Sequence, residues 1–146
     1  MEELTTYIGV KVVQARPMEK DGKAGYKVVY PDGYESWSPK AVFEEAYRDI
    51  RTGKMTFGLA IEALKKGKKV ARAGWNGQDM YLALVEGSTI PATAARSGVA
   101  LEITREGAQE VNILPHIDMR AEDGSCVVGW LASQTDMLSD DWFIVD

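Results

Sequence analysis

The chain has 146 residues, 45% of them hydrophobic and 27% charged, with a net charge of −5 and one cysteine, Cys126. These values are typical of a globular protein of one or two domains, and they exclude an intramolecular disulfide and an overall basic surface that binds duplex DNA or anionic lipid. We therefore expect no general binding of nucleic acid, and neither DNA nor a membrane among the partners. Because the sequence shows neither a leader peptide nor a run of about 18 apolar residues, we expect a cytoplasmic protein that is not exported and spans no membrane.

The first third of the sequence predicts a small module of strands and one helix. Two alternating stretches, 8–15 and 25–30, flank a polar turn and predict a β-hairpin. A third strand is predicted over 34–37, and a helix with a proline in its first turn over 39–51. We therefore assign residues 1–53 to an N-terminal β-hairpin and helix module of unknown role. It could set the oligomeric state, dock a partner or only extend the sheet.

The next segment predicts a helix that packs against a sheet. Thr56 is an N-cap before apolar residues at helical spacing, and Gly67 ends the helix. Short strands are predicted over 70–72 and 80–85. The cations concentrated in 65–72 either complement the negative end of the helix dipole or bind a small anion.

The last section is predicted to be mainly strand. Residues 87–98 are rich in small side chains and indicate a loop, with a weak strand after it over 99–103. Strands over 112–121 and 126–130 flank an Asp-Gly turn, a strong signal for a hairpin, and a final short strand covers 142–145. The expected class is α+β, a mainly antiparallel sheet with helices packed on one face, plus the N-terminal module.

Catalysis by general acid and base needs titratable side chains that meet in a pocket, and the sequence offers few. His116, the only histidine, stands beside Pro115 in a predicted strand, where a structural or exposed role is expected. Asp140 and Asp141 are adjacent, so their side chains diverge in a helix and in a strand alike. No glycine motif for phosphate or dinucleotide binding and no nucleophile elbow is present. A nucleotide-cleaving enzyme that uses Asp136, Asp140 or Asp141 is therefore the alternative and not the expected function.

Three of the four tryptophans stand close to side chains that form hydrogen bonds. They are Trp75 before Asn76, Trp130 ahead of the polar segment 133–136, and Trp142 after two aspartates. A flat ring beside amide, hydroxyl and carboxylate groups suits a nucleobase and a ribose. Core tryptophans flanked by helix caps explain the same pattern. The residues alone leave both interpretations open.

Two motifs stand at opposite ends of the last three-fifths of the chain. Residues 55–77 contain TFGLAIEALKKGKKVAR followed by GWNG, and residues 130–142 contain WLASQTDML and end in DW. In this order the motifs resemble the second family of Thoeris anti-defence proteins of bacteriophages. The resemblance covers 55–146, which we therefore predict to be an anti-defence domain.

The resemblance implies a phage protein that acts as a sponge. It would bind and sequester a cyclic ADP-ribose signal, such as the glycocyclic ADP-ribose made by TIR-domain enzymes, in the cytoplasm of the infected bacterium. No catalysis, cofactor or metal is implied. The family also implies a homo-oligomer, typically a tetramer, with the nucleotide at subunit interfaces, and some members take cyclic oligonucleotides at a separate site. A structural phage protein with buried aromatic residues is a further alternative.

Positions that match the motifs supply the candidate ligand-binding residues, with no catalytic residue and no metal ligand among them. The candidates are Trp75, Asn76, Arg72, Trp130, Ser133, Thr135 and Asp136. By the resemblance, either tryptophan would stack on the adenine, and the amide, hydroxyl and carboxylate side chains would address the ribose hydroxyls. The arginine is assigned to the pyrophosphate because of its charge and position. Asp140, Asp141 and Trp142 are predicted to belong to a turn and the core.

Overall fold

The computed structural model describes residues 2–77 and 79–146. It forms two units, Met1–Asp49 and Ile50–Asp146, which we call the N-terminal and the C-terminal unit. In the described part of the chain, no helix is both long enough and apolar enough to cross a membrane.

The N-terminal unit consists of three antiparallel strands and one helix. The strands are β1 (Gln14–Pro17), β2 (Gly25–Val29) and β3 (Glu35–Pro39). Strand β2 lies between the other two. Helix α1 (Lys40–Ala46) packs on one face of the sheet, where Phe43 stacks on Tyr26 with ring centroids 4.2 Å apart. Val28 on the same face is buried, so the core of this unit lies between α1 and β2.

The strand predictions for this unit are confirmed in part. Those over 25–30 and 34–37 correspond to β2 and β3, with small shifts in their ends. The strand predicted over 8–15 is wrong for most of its length, because it begins only at Gln14. Gln14 already pairs with Val29, the last residue of β2, so β2 offers no partner to the residues before it.

The helix predicted over 39–51 is too long. It ends at Ala46, and the backbone of Tyr47 is extended, with φ −126° and ψ 143°. The carbonyl of Ile50 accepts a hydrogen bond from the N–H of Ile144 at 2.6 Å. Ile50 therefore lies in a turn that is hydrogen-bonded to β10, outside the helix.

In the described residues the C-terminal unit contains seven strands, three α-helices and a short 3-10 helix, Ala92–Ala94. The strands are β4 (Lys69–Arg72), β5 (Tyr81–Val85), β6 (Ser88–Pro91), β7 (Glu110–Ile113), β8 (His116–Arg120), β9 (Cys126–Val128) and β10 (Trp142–Val145). The helices are α2 (Phe57–Lys65), α3 (Gly98–Arg105) and α4 (Gln134–Leu138). Five strands form an antiparallel sheet in the order β10-β4-β5-β8-β9, and β6 pairs with β7 in a separate ribbon. The last strand therefore lies beside β4, next to the first motif.

The core of this unit lies between α2 and one face of the five-stranded sheet. Val70, Leu82 and Trp142 on three neighbouring strands are completely buried there. Helix α2 begins at Thr56, whose hydroxyl accepts an N–H hydrogen bond in the first turn, and it buries Leu64 against the sheet. Helix α4 packs against α2. The predicted α+β class is confirmed.

Three local predictions in this unit are wrong. Residues 99–103 belong to helix α3 and not to a strand, because the half-buried residues of this segment recur at helical spacing. These residues are Ala100, Leu101, Ile103 and Thr104. Residues 87–98, predicted as a loop, contain β6. The strand predicted over 112–121 is divided into β7 and β8 at Pro115, which has no N–H to donate to a strand ladder. The hairpin between β8 and β9 and the final strand are confirmed.

Candidate functional site

Four aromatic rings from separate parts of the chain meet at one end of β10. They are Phe57, Trp75, Trp130 and Trp142, which we call the aromatic cluster. Trp142 is completely buried, and the rings of Phe57 and Trp75 both lie 5.3 Å from it. Trp130 lies 6.3 Å from both Trp75 and Trp142. The planes of the three tryptophans cross at 67° to 79°, so the rings pack edge to face and do not form a parallel clamp.

The outer part of the cluster is accessible and carries polar neighbours. Trp75 and Trp130 are half-buried, in contrast to Trp142. Asn76, Ser133 and Thr135 are exposed, and we call these three residues the polar rim. Amide and hydroxyl groups beside a partly open indole can hydrogen-bond a ligand whose ring stacks on that indole.

A buried arginine joins two carboxylates next to the cluster. Arg72 at the end of β4 donates from Nη1 to Asp136 Oδ1 at 2.8 Å and from Nε to Asp141 Oδ1 at 2.9 Å. A longer bond runs from Nη2 to Asp141 Oδ2 at 3.4 Å. We call these three residues the Arg72 network. The side chain of Arg72 is only 11% exposed, so its charge is neutralised inside the protein and not presented to solvent.

Asp136 connects this network to the tryptophans and to α4. Its Oδ1 also accepts a hydrogen bond from Trp75 Nε1 at 3.2 Å, and its main-chain carbonyl accepts one from Trp142 Nε1 at 3.0 Å. Its Oδ2 accepts the N–H of Ser133 at 3.1 Å, while its own N–H donates to Ser133 Oγ at 3.0 Å. This reciprocal pair is a capping box that begins α4. One aspartate thus orients two indoles and a helix.

The turn that carries Trp75 depends on a glycine. Asp141 Oδ2 accepts the N–H of Gly74 at 2.8 Å, which ties the turn to the Arg72 network. A Cβ at Gly74 would lie 2.8 Å from that same oxygen and 3.2 Å from Arg72 Nη2. A larger residue at this position would therefore push the ion pair of Arg72 and Asp141 out of place, which glycine avoids.

Both carboxylates of the network hold their charge. Burial raises the pKa of Asp136, but hydrogen bonds from Arg72, Ser133 and Trp75 outweigh it and bring the pKa below its ordinary value. Burial also raises the pKa of Asp141, and the bonds from Arg72 and Gly74 again bring it below the ordinary value. The Arg72 network therefore contains two carboxylates and one guanidinium at neutral pH.

Comparison with known proteins identifies the domain that holds this site. The family model described as Thoeris anti-defense 2-like domain matches residues 55–145. The chain belongs to the Thoeris anti-defense 2-like family. Over 92 residues it is 35% identical to Thoeris anti-defense 2 of Bacillus phage SP01, a match that covers 63% of this chain and 96% of the phage protein. The resemblance seen in the two motifs is confirmed, and family membership supports a role in Thoeris anti-defence.

Around Trp142 the anti-defence domain joins Trp75, Trp130, Arg72 and Asp136 through ring contacts and hydrogen bonds, and Ser133 through its bonds to Asp136. Asn76 and Thr135 are exposed residues that stand next to Trp75 and Asp136 in the chain. The two motifs meet because β10 pairs with β4 and places Trp142 opposite Arg72. Asp141 was assigned to a turn by sequence reasoning, yet it forms half of the Arg72 network. Phe57 was taken as an ordinary helix residue and belongs to the aromatic cluster. The pairing of β4 with β10 brings Asp141 to Arg72, and the bridge between Met55 and Trp142 brings Phe57 to the cluster. No local signal in the sequence indicates either pairing.

The histidine of the anti-defence domain and one of its hollows lie away from the candidate site. His116 projects from the face of the sheet opposite to Arg72, since it alternates with Ile117 on the core face. A hollow of about 280 Å³ lined by Lys69, Tyr81 and Arg120 also lies on that opposite face. Among the described residues, no three His, Cys, Asp or Glu side chains are grouped so that they could hold a metal ion.

Proposed function

We propose that this protein binds and sequesters a cyclic ADP-ribose-type nucleotide, such as glycocyclic ADP-ribose from TIR-domain enzymes, without cleaving it. It would act in the cytoplasm of the infected bacterial host. The observation that carries the proposal is the aromatic cluster, in which Trp75 and Trp130 are half-exposed and beside the polar rim. Family membership supplies the context of Thoeris anti-defence.

The site residues divide into those that touch the ligand and those that position them. We assign stacking on adenine to Trp75 or Trp130, and hydrogen bonding to ribose hydroxyls to the polar rim. Both oxygens of Asp136 and three N–H donors of Arg72 already form internal hydrogen bonds. We therefore revise their assignment from ribose and pyrophosphate contacts to positioning residues that fix the indoles before the ligand arrives, which reduces the entropic cost of binding.

A second copy of the chain completes the site in this proposal. The rings of the cluster are not parallel, and neither the hollow at Lys69 and Tyr81 nor the one at Arg16 and Trp37 includes a residue of the cluster. Leu131 precedes α4 and Leu138 is its last residue, and their exposed fractions of 89% and 79% are as expected of side chains covered in an assembly. The proposed assembly is a homotetramer with nucleotide at subunit interfaces. Cyclic oligonucleotides would then bind at a separate site.

The ion pairs and the lowered pKa values of the acidic residues favour sequestration over cleavage. Asp136 and Asp141, two of the three carboxylates in the alternative mechanism, are ion-paired with Arg72 and have lowered pKa values. A general acid needs a raised pKa, and a general base needs a free lone pair that faces the substrate. His116 is on the other face of the sheet and cannot assist them.

Isothermal titration against cyclic ADP-ribose isomers and a panel of cyclic oligonucleotides tests the proposal. A sponge must hold free signal below the threshold of its receptor, so we expect a dissociation constant below about 1 µM, on the order of −8 kcal/mol. Asn76→Ala should weaken binding at least about tenfold, since one hydrogen bond to a polar ligand group is lost. Asn112→Ala, which removes an amide from β7, is the matched control. No binding to any member of the panel would reject the proposal.

A further inference from the structure

The N-terminal unit holds a tryptophan across the face of its sheet that α1 leaves uncovered. Trp37 of β3 donates from Nε1 to the carbonyl of Met18 at 2.8 Å, so its indole reaches across β2 towards the end of β1. The ring occupies the space above Gly25, where a Cβ would overlap both the indole and the carbonyl of Ser38. Glycine on β2 and the bond to Met18 therefore hold the indole in one position.

Cations surround this indole. The strand register places Arg16, Lys27 and Trp37 in one row across the three strands. Lys20 lies over the ring, with Nζ 5.8 Å from its centroid. The carboxylate of Glu35 pairs with Lys27 at 3.2 Å, and the exposed residues Glu19 and Asp21 stand next to Lys20 in the chain. The row borders a hollow of about 300 Å³, and Arg16 and Trp37 form part of its lining.

We propose that this face binds single-stranded nucleic acid. An unpaired base would displace the exposed Lys20 side chain from the ring and stack on Trp37, and the phosphates on either side of it would lie against Arg16, Lys20 and Lys27. A fixed aromatic ring combined with nearby cations is the way in which proteins bind single strands without sequence preference. A duplex hides the faces of its bases, and an acidic peptide has no flat ring to stack, so neither would use Trp37.

This inference goes beyond the sponge function. Trp37 and its cations belong to the N-terminal unit, outside the residues 55–145 that match the anti-defence family. An experiment can therefore disprove one of the two proposals without affecting the other. A chain that binds cyclic nucleotide and no single strand would retain the first and lose the second.

Fluorescence anisotropy with labelled oligothymidine and oligouridine of about 20 nucleotides, titrated with the full chain, tests the inference. We expect binding that weakens as salt rises. Trp37→Ala should reduce affinity about tenfold, because stacking of one base is lost. Arg16→Gln with Lys27→Gln should leave Trp37 in place and make the slope of log K against log salt shallower by about 1.4, since two phosphate contacts are lost.

Lys40→Gln with Lys68→Gln is the matched control, since it removes two exposed charges that are not on this face. It should leave the affinity and the salt slope of the wild type unchanged. The inference is overturned if the wild type binds neither oligonucleotide, or if the control pair and the Arg16 and Lys27 pair lose affinity equally. It is also overturned if a poly-glutamate peptide or a duplex of equal length binds as tightly as the single strands.

Discussion

Replacing Asp136 by alanine should destabilise the C-terminal unit by about 3 kcal/mol. The carboxylate accepts hydrogen bonds from Arg72 at 2.8 Å, from the N–H of Ser133 at 3.1 Å and from Trp75 at 3.2 Å. Alanine removes both acceptor oxygens, all three of these hydrogen bonds and half of the capping box of α4. The same substitution leaves the Trp142 bond intact, because that bond ends on the main-chain carbonyl.

The magnitude follows from the surroundings of each lost bond. The bond from Arg72 is charge-assisted and nearly buried, and its loss costs about 2 kcal/mol, while each of the two neutral donors contributes about 0.5 kcal/mol. Arg72 keeps Asp141, so the penalty of about 3–5 kcal/mol for an orphaned buried charge does not apply. For a unit of about 100 residues, this loss lowers the melting temperature by roughly 12–24 °C.

Near-ultraviolet circular dichroism follows this transition, because three of the four tryptophans lie in the aromatic cluster. Asp136→Asn keeps an acceptor oxygen but loses the charge, and should give about half of the effect. Asp140→Ala is the control, since Asp140 is exposed and should change stability by less than about 0.5 kcal/mol. If Asp136→Ala melts within about 3 °C of the Asp140 variant, the Arg72 network does not stabilise the fold and the reasoning is wrong.

Three further predictions concern the ligand, acid and the N-terminal unit. Trp75→Ala should weaken cyclic nucleotide binding by about tenfold or more in calorimetry, because stacking on the indole is lost. If the variant binds as tightly as the wild type, this indole is only structural. Because the folded pKa values of Asp136 and Asp141 are lowered, their contribution is complete above the unfolded pKa of about 3.9 and is lost as pH falls through the folded values. The urea concentration at the midpoint of unfolding should therefore decrease as the pH is lowered below about 4. A midpoint that does not change over this pH range would contradict the ion pairs. Gly25→Ala should destabilise the N-terminal unit by about 1–3 kcal/mol through overlap with Trp37, as measured by hydrogen exchange, and wild-type protection would refute that packing.

Sequence reasoning correctly predicted the elements that depend on residues close together in the chain. The N-cap Thr56 and the Asp-Gly hairpin after β8 were located correctly because side-chain capping and turn geometry act over short distances. Residues 99–103 of helix α3 were predicted as a weak strand. The contact of α3 with β7, a tertiary interaction, decides for the helix.

The candidate site depends on contacts between residues far apart in the chain, which sequence reasoning did not predict. Motif resemblance located Trp75 and Trp130, whose proximity the structure explains. It did not reveal that Asp141 and Arg72, which are 69 residues apart, share an ion pair. Their meeting depends on the pairing of β10 with β4, and strand pairing over such a separation leaves no local pattern in a single sequence.

Recovery of the bound nucleotide tests the central claim of sequestration most directly. Glycocyclic ADP-ribose would be incubated with excess protein, the free and bound fractions separated by filtration, and the protein then denatured to release its ligand for chromatography. Sequestration predicts that the free fraction is depleted in proportion to protein and that the released nucleotide elutes unchanged. Appearance of a cleaved product, growing with time at substoichiometric protein and lost in Asp136→Asn, would contradict the account and identify an enzyme.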